Sequence, residues 1–336
     1  MLVVMSRLVV PTWLHPSPIA CQILLGTCWI LQTATRPYDR AEFWRYNLLM
    51  TIARLIKRVG AGAESGYRVL TGNVGLMVRT APGGMDARVY DPLACLILQG
   101  TKTTSFGDRT ATVRAGDMVL VSHALPVVAR VTEASPEAPY IALVVPIDIA
   151  ELRSVRDQLG DEAFETGETD AYAASPASDA MLDTFDRYLR LADDPTQARV
   201  LEPLIRRELH LRFLTADNGT TLRDLLERNS YARNISRALG ALRNDFRTRL
   251  EVAQLAQSVG MSASSFHRHF RTITSTTPLQ YQKDLRLTEA RKLLIAGDHS
   301  VSSVAFEVGY ESPSQFSREY SRKFGTPPSG DVAGLS

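Results

Sequence analysis

Hydrophobic and polar positions follow a helical period at the start of the readable pattern and a strand period after it. Residues 47–60, NLLMTIARLIKRVG, predict a short amphipathic helix that Gly60 ends. From about residue 66 to residue 147 the chain consists of short runs rich in β-branched residues, separated by breaks rich in Gly, Pro and Asp. Several short strands at this regular spacing predict a β-barrel or a β-sandwich.

After residue 148 the helical period returns and no strand pattern follows. Three helices are predicted between residues 148 and 215, and the acidic stretch 160–178 between the first and the second is predicted to be a loop. The third helix, which contains LIRRELHLRFL, is expected to link two domains and to take part in a dimer interface. The polar break TADNGT at 215–220 is the preferred boundary region.

The last hundred residues contain an internal repeat, in which residues 251–281 align with residues 301–330. Each copy predicts a helix of about two turns, a turn centred on glycine, and a second helix with a serine N-cap. Such a unit is a helix-turn-helix. The second copy has one extra residue after its glycine, and the matched pairs are Ala256 and Ala305, Val259 and Val308, Gly260 and Gly309, Phe266 and Phe316, Arg268 and Arg318, Phe270 and Tyr320, and Pro278 and Pro328.

The segment between the two copies, residues 278–297, predicts one long helix. Its apolar side is expected to comprise Leu279, Leu285, Leu287, Ala290, Leu293 and Leu294. Such a connector holds the two units at a fixed separation, so their second helices can enter successive major grooves of duplex DNA, about 34 Å apart. Two units in register, each with a basic second helix, are far less common by chance than one.

Composition and charge favour the same interpretation. The chain has 336 residues, of which 45% are apolar and 22% charged, which is typical of a globular protein with two domains. Residues 230–336 contain 14 Lys and Arg against 9 Asp and Glu, whereas the remainder contains 24 against 27. The basic C-terminal part is therefore the part suited to phosphate.

Three cysteines, Cys21, Cys28 and Cys95, give neither a disulfide framework nor a CxxC zinc motif, which indicates a reducing cytoplasm. The apolar run at residues 18–32 is too short to span a bilayer and no small-x-small cleavage site follows it, so no membrane association is expected. We expect residues 1–45 to be a disordered or extraneous extension, with Met50 as an alternative initiator.

With these motifs the chain strongly resembles the AraC/XylS family of bacterial transcription regulators. Residues 309–328, GYESPSQFSREYSRKFGTPP, carry that family's C-terminal signature. The segments GTKTTSFGD, VRAGDMVLVSHALPV, ASPEAPYIALVVPID and PLIRRELHLRFL resemble the subgroup with a cupin-like sensor domain. The resemblance implies an α+β multidomain fold: a cupin-like β-barrel at 50–150, a helical linker or dimerisation region at 151–229, and an all-α DNA-binding domain with two helix-turn-helix units at 230–330.

By this resemblance the second helix of each unit is a recognition helix. Base contacts then fall to Ser264, His267 and Arg268 in the first unit, and to Pro313, Ser314, Gln315 and Arg318 in the second. The side-chain chemistry agrees, because Arg can bind guanine O6 and N7, and Gln can bind adenine N6 and N7, while Pro313 gives only apolar or shape contact. Phosphate contacts are expected from Arg271, Arg322 and Lys323, and also from Ser262 and Ser312, which are N-caps first.

A rival interpretation is an enzyme, because cupin barrels often hold a catalytic metal between several histidines and a glutamate. His123 is the only histidine between residues 50 and 200, so the β domain lacks the HxH pair of such sites, and we expect no metal site and no enzymatic activity. His123 is predicted to lie in a loop. Cys95 is predicted to be a small buried hydrophobe, with an electrophile-sensing thiol as the alternative. His267 and His269 lack a third ligand and are expected on the surface or in a groove.

Together these features predict a sequence-specific DNA-binding transcription factor of the cytoplasm, controlled by a small organic effector in its N-terminal domain. Duplex DNA is the expected partner, and RNA polymerase and a second copy of the chain are further partners that the resemblance suggests. No cofactor is expected. Two alternatives stay open: a metal-dependent cupin enzyme fused to a DNA-binding module, and an architectural DNA-binding protein without an effector.

Overall fold

The computed structural model describes residues 40–60, 64–160, 170–227, 230–297 and 299–333. The chain divides into two units, residues 1–47 and residues 48–336. Of the first unit only residues 40–47 are described, and they begin helix α1 (Arg40–Val59). The helix predicted from residue 47 thus begins seven residues earlier. The extension predicted for residues 1–45 otherwise lies outside the described residues.

Within the described residues, ten strands form two antiparallel sheets, which together are called the barrel below. The six-stranded sheet has the order β1–β2–β9–β4–β7–β10, and the four-stranded sheet has the order β3–β8–β5–β6. The strands are β1 (Gly66–Thr71), β2 (Val74–Arg79), β3 (Gly83–Tyr90), β4 (Leu93–Gln99), β5 (Thr101–Phe106), β6 (Arg109–Arg114), β7 (Asp117–Val121), β8 (Leu125–Glu133), β9 (Tyr140–Pro146) and β10 (Tyr172–Pro176).

Inner strands of the six-stranded sheet are buried on both faces, as β4 illustrates. Successive side chains of a strand point to opposite faces. Leu96 and Leu98 pack in one hydrophobic cluster with the helices, whereas Cys95 and Ile97 pack in another that lies inside the barrel. A continuous apolar run such as LACLILQ is therefore explained by burial on two sides.

Four helices cover the outer face of the six-stranded sheet. They are α1, α2 (Ile149–Leu159), α3 (Asp179–Arg190) and α4 (Pro195–Thr215). Each of the last three begins at a side-chain N-cap, because Asp148, Ser178 and Asp194 accept hydrogen bonds from backbone amides of the first turn. The helices predicted between 148 and 215 are thus confirmed.

The predicted loop at 160–178 contains a strand, which corrects that prediction where the segment is described. Strand β10 pairs antiparallel with β7, and Tyr172 lies opposite Val121. The sequence YAASP has no β-branched residue, so pairing with a neighbouring strand, rather than local propensity, determines this edge strand. Residues 161–169 lie outside the described residues.

The polar break at 215–220 is packed against the barrel rather than solvated. It forms a 3-10 helix, Asp217–Gly219, in which Asn218 is buried. The Asn218 amide donates to the backbone carbonyls of Met118 at 2.9 Å and Ala173 at 3.1 Å. These hydrogen bonds fix the start of the C-terminal helices relative to the barrel.

The C-terminal part is all-α, as predicted. Its helices are α5 (Thr220–Leu226), α6 (Tyr231–Asn244), α7 (Val252–Ser258), α8 (Ala263–Thr274), α9 (Pro278–Ala296), α10 (Val301–Glu307), α11 (Pro313–Phe324) and α12 (Pro328–Ala333). The predicted connector is confirmed as α9, which Gly297 ends in a left-handed conformation. Leu279, expected on its apolar side, is instead 54% exposed, whereas Leu285, Leu287 and Leu294 are buried.

Hydrophobic packing divides into three clusters. The first joins the six-stranded sheet to α1–α4, and the third fills the second helix-turn-helix unit. The second cluster runs from the barrel interior into α6–α9 without interruption. The first helix-turn-helix unit and the barrel therefore share one core. None of the helices in the described residues is long and apolar enough to cross a lipid bilayer.

Candidate nucleic-acid interface

The sequence repeat is also a structural repeat. In the first unit α7 ends at a turn in which Gly260 has φ +75°, and in the second α10 ends at Gly309 with φ +91°. The backbone amide of Met261 donates to the Ala256 carbonyl at 2.9 Å, and that of Tyr310 donates to the matching Ala305 carbonyl at 2.9 Å. Glycine is suited to both turns because positive φ is strained for residues with a Cβ atom.

The second helices, α8 and α11, also begin in the same way. The Ser262 hydroxyl accepts a hydrogen bond from the backbone amide of Ser265 at 3.3 Å. The Ser312 hydroxyl accepts one from the amide of Gln315 at 3.3 Å. Serine N-caps were predicted at both positions, and both are confirmed.

One face of each second helix is an aromatic seam. Phe266 and Phe270 are buried in α8 with ring centroids 5.4 Å apart, and Phe316 and Tyr320 are buried in α11 with centroids 5.5 Å apart. Because residues four apart share a helix face, the seam orients the opposite, polar face of each helix toward solvent.

In the first unit the three residues predicted to contact bases lie on this exposed face: Ser264, His267 and Arg268. The Arg268 guanidinium lies 3.1 Å from Nε2 of His269. His269 is buried and stacks on Tyr231 with centroids 3.7 Å apart, so its predicted surface position is wrong. It belongs to the core side of α8.

In the second unit Ser314, Gln315 and Arg318 are exposed, and Pro313 is half-buried at the first position of α11. Arg318 forms no hydrogen bond or ion pair within the part of the chain that the structure describes. The Gln315 amide donates to a Glu319 carboxylate oxygen at 3.2 Å. The polar groups assigned to base reading are thus accessible, and their contacts with DNA stay predictions.

The five residues predicted to contact phosphates differ in how exposed they are and in the contacts they already make. Arg271 and Arg322 are exposed, and Ser262 and Ser312 hold the N-caps. Lys323 is only 17% exposed in its side chain, and its Nζ lies 2.6 Å from an Asp284 oxygen. A contact between Lys323 and phosphate would require this ion pair to open.

Acidic residues of the barrel face α8, which the sequence did not indicate. The Arg271 guanidinium lies 3.3 Å from an Asp108 carboxylate oxygen in the β5–β6 turn. The amide of Asp108 donates to the Ser275 carbonyl at 3.0 Å, and the Ser275 hydroxyl donates to Asp170 at 3.3 Å. Asp108 and Asp170 share a groove of about 860 Å³ with His267 and Arg268.

A second link between the barrel and the helices runs through His123, which lies in the loop between β7 and β8, as predicted. His123 is 2% exposed; its Nε2 donates to the Ala232 carbonyl at 2.9 Å, and its Nδ1 is hydrogen-bonded to the Ser122 hydroxyl at 2.7 Å. Burial lowers the pKa of His123 to about 4, although the hydrogen bond to Ala232 opposes this.

The barrel encloses a cavity of about 710 Å³ between its two sheets. Its lining includes Tyr90, Cys95, Lys102 and Tyr140. Cys95 is buried, as predicted, and burial raises the pKa of its thiol. Among the described residues no three His, Cys, Asp or Glu side chains are grouped so that they could hold a metal ion.

Two matched helix-turn-helix units joined by one helix define a class of DNA-binding proteins. Residues 71–221 match the family model of the AraC-type transcriptional regulator N-terminus, and residues 255–331 match a helix-turn-helix domain model. The chain therefore contains both domains of AraC-type transcriptional regulators, as its resemblance implied.

Individual relatives are similar over different extents. HTH-type transcriptional regulator CdhR of Pseudomonas aeruginosa is 35% identical over 103 residues, which are 31% of each chain. Thermoregulatory protein LcrF of Yersinia pestis is 23% identical over 241 residues, 70% of this chain and 86% of LcrF. The match thus spans less than a third of CdhR but most of LcrF.

Among solved structures, unsaturated fatty acid bound ToxT from Vibrio cholerae is similar with a TM-score of 0.51 and 12% identity. The similarity covers 79% of this chain and 96% of ToxT. At this identity the likeness concerns the fold, and it confirms the predicted α+β class with a β-rich N-terminal part and a helical C-terminal part.

Proposed function

We propose that this protein is a sequence-specific regulator of transcription that binds duplex DNA through α8 and α11. The observation that carries this proposal is the pair of matched units, each with an aromatic seam inside and a polar face outside. The exposed guanidinium of Arg318 suits guanine O6 and N7, and the amide of Gln315 suits adenine N6 and N7. Arg271 and Arg322 are exposed for phosphates, which set register and affinity.

The barrel serves as a sensor of a small organic effector. Its cavity supports this role, as does the unsaturated fatty acid bound to ToxT, whose fold is similar. An effector that fits one arrangement of barrel and helices better than another shifts the population toward it. The shared core and the contacts at Asp108 and His123 are the connections through which such a shift reaches α8. The protein acts in the cytoplasm, with RNA polymerase and a second copy of the chain as further partners.

The proposal is tested by selection of genomic fragments with the purified full-length protein, followed by gel-shift titration of the recovered sites. We expect a shared site with two half-sites about one helical turn apart. Affinity for this site should exceed affinity for random duplex by about 1,000-fold or more at fixed salt. Equal affinity for both duplexes would favour the architectural alternative instead.

We propose in addition that the protein is not an enzyme. The reason is the donor set of the barrel, where the buried His123 already uses both ring nitrogens in hydrogen bonds. Metal analysis of the purified protein tests this part. Stoichiometric iron, zinc or manganese in the barrel would contradict it and restore the cupin-enzyme alternative.

A further inference from the structure

Strand β5 carries a lysine at an inward-facing position. Lys102 shares its strand face with Thr104 and Phe106, and all three are buried. Lys102 is 8% exposed and forms no ion pair with a carboxylate anywhere in the described ranges. Lysine is almost never buried without a partner, because taking an ammonium group out of water is costly.

The rings of two tyrosines face this ammonium group. Its Nζ lies 5.7 Å from the ring centroid of Tyr90 and 6.0 Å from that of Tyr140. Cation–π attraction at such distances favours the charged form. Burial acts to lower the pKa of Lys102, but its electrostatic interactions with Tyr140, Tyr90, Cys95 and Tyr172 together raise the pKa above its ordinary value. Lys102 is therefore a cation at neutral pH.

The acidic residues of the cavity do not neutralise this cation. Two carboxylates, Asp86 and Asp91, belong to the lining. The Arg88 guanidinium donates to Asp86 at 3.0 Å, and that of Arg243 donates to Asp91 at 3.2 Å. Both carboxylates are thus engaged by arginines, and the charge of Lys102 is left uncompensated by the described lining.

The rest of the cavity is suited to an apolar molecule with one acidic end. Its apolar lining residues include Met77, Val89, Leu93, Ala142 and Val144, and its other cations are Arg79, Arg88 and Arg130. Next to Lys102 lies the buried hydroxyl of Tyr140, which has no acceptor among the described groups because the ammonium group can only donate. A carboxylate has two oxygens, one for the ammonium group and one for this hydroxyl. A volume of about 710 Å³ is within the usual range for small-molecule sites.

We propose that the cavity binds a small monocarboxylate with an apolar body, whose carboxylate pairs with the ammonium group of Lys102 and accepts a hydrogen bond from Tyr140. This inference rests on the proposed sensor role of the barrel and names the chemical class of the effector. The buried ammonium group and the neighbouring hydroxyl match the two oxygens of a carboxylate.

The test uses the full-length protein and two acids, decanoate and 4-phenylbutanoate. Decanol and 4-phenylbutanol are the neutral counterparts of the same length. Titration calorimetry and thermal melting should show that the acids bind and raise the melting temperature, and that the alcohols bind at least about 10-fold more weakly. The variant Lys102→Met keeps the side-chain length without the charge and should lower affinity for the acids by about 10- to 100-fold.

The matched control is Lys57→Met, which removes an exposed lysine of α1 on the other side of the six-stranded sheet. It should leave affinity for the acids unchanged. Equal affinity for acids and alcohols, undiminished binding by Lys102→Met, or no binding of either acid would overturn the inference. Should Lys102→Met not fold, the comparison of acids with alcohols on the unaltered protein tests the inference. The variant Tyr140→Phe is a second test, and we expect it to lower affinity for the acids several-fold.

Gel-shift titration of the same preparations separates this inference from the proposed function. Lys102→Met should bind DNA with unaltered affinity in the absence of acid, because Lys102 lies inside the barrel. A protein that selects DNA sites but binds no acid contradicts the carboxylate site alone. A protein that binds the acids but prefers no DNA sequence contradicts the proposed function alone.

Discussion

Arg271 of α8 is ion-paired with Asp108 of the barrel, with guanidinium and carboxylate atoms 3.3 Å apart. A residue proposed to hold a DNA phosphate is thus held by a carboxylate of the sensor. The hydrogen bond from the Asp108 amide to the Ser275 carbonyl, 3.0 Å long, fixes the carboxylate at this place. Because phosphate and carboxylate are both anions, Asp108 competes with a duplex for Arg271.

The first prediction is that Asp108→Asn increases affinity for DNA. The change removes a negative charge beside α8 and releases Arg271, and both effects favour phosphate binding. Since the ion pair is exposed, with both side chains more than half accessible, we expect a gain of only about two- to fivefold. Fluorescence anisotropy with a labelled duplex at fixed salt measures it.

Glu137→Gln is the control for this change, because it removes one negative charge from an exposed residue in the β8–β9 loop. Its affinity for DNA should equal that of the unaltered protein. An unchanged or lower affinity of Asp108→Asn would show that the contact between the barrel and α8 does not oppose DNA binding.

The second prediction separates base reading from phosphate binding. Arg318→Ala should cost about 1–3 kcal/mol on the selected site and relax preference at one base position. Arg271→Ala should weaken binding to all sequences alike and reduce the slope of affinity against salt. Gel-shift titration against a set of single-base variants of the site measures both. Arg199→Ala, an exposed arginine of α4, is the control and should alter neither quantity.

The third prediction concerns acid stability and His123. Its pKa is about 4 in the folded protein and 6.5 when unfolded, so folding favours the neutral ring. This stabilisation is complete above pH 6.5 and is lost as the pH falls toward 4, because the unfolded chain then binds the proton more readily. The loss amounts to about 3 kcal/mol in the free energy of unfolding.

Urea denaturation of the full-length protein between these pH values measures this loss. In His123→Gln the group that takes up the proton is absent, so the free energy of unfolding should depend less on pH than in the unaltered protein. His299→Gln, which replaces an exposed histidine, should keep the original dependence. Equal pH dependence in all three proteins would refute the assignment to His123.

The fourth prediction uses the two matched glycines. An added Cβ atom at Gly260 would meet nothing within 4 Å, whereas at Gly309 it would lie 2.2 Å from the backbone carbonyl oxygen of Arg247. Gly260→Ala should therefore cost only the strain of positive φ, about 1–2 kcal/mol. Gly309→Ala should cost about 1–3 kcal/mol more, because the backbone must move. Thermal melting of both variants tests this prediction. Equal decreases in melting temperature would contradict the larger cost expected for Gly309→Ala.

The repeat was predictable because its signals are local. Serine caps, glycine turns and aromatic residues at helical spacing act within a few residues, and the predicted positions of Ser262, Gly260 and Phe266 are all confirmed. Strand β10 was missed because its pairing partner, β7, lies some fifty residues away along the chain. His123 lies in a loop, as predicted, but its hydrogen bond to Ala232 could not be predicted, because only the shared core brings the two residues together.

The two charged groups central to this protein differ in how far the sequence could have indicated them. Lys102 lies two and four residues before Thr104 and Phe106, so alternation along TKTTSF already places it on the same face as a phenylalanine. Asp108 gave no such signal, because a carboxylate in a turn after a strand is ordinary. Its role follows from the docking of α8 against that turn.

The division of the hydrophobic core limits how this chain can be exchanged with others. Tyr281 and Leu285, in the first half of α9, belong to the core shared with the barrel, whereas Leu287 and Leu294, in the second half, belong to the second unit. A hybrid regulator made by grafting residues 230–333 onto a foreign sensor would expose the apolar side of the first unit to water. The second unit also contacts the barrel, because Ala87 and Val128 pack against its cluster and the Arg291 guanidinium donates to the Met85 carbonyl at 2.8 Å. Exchange of either unit therefore requires a matching barrel surface.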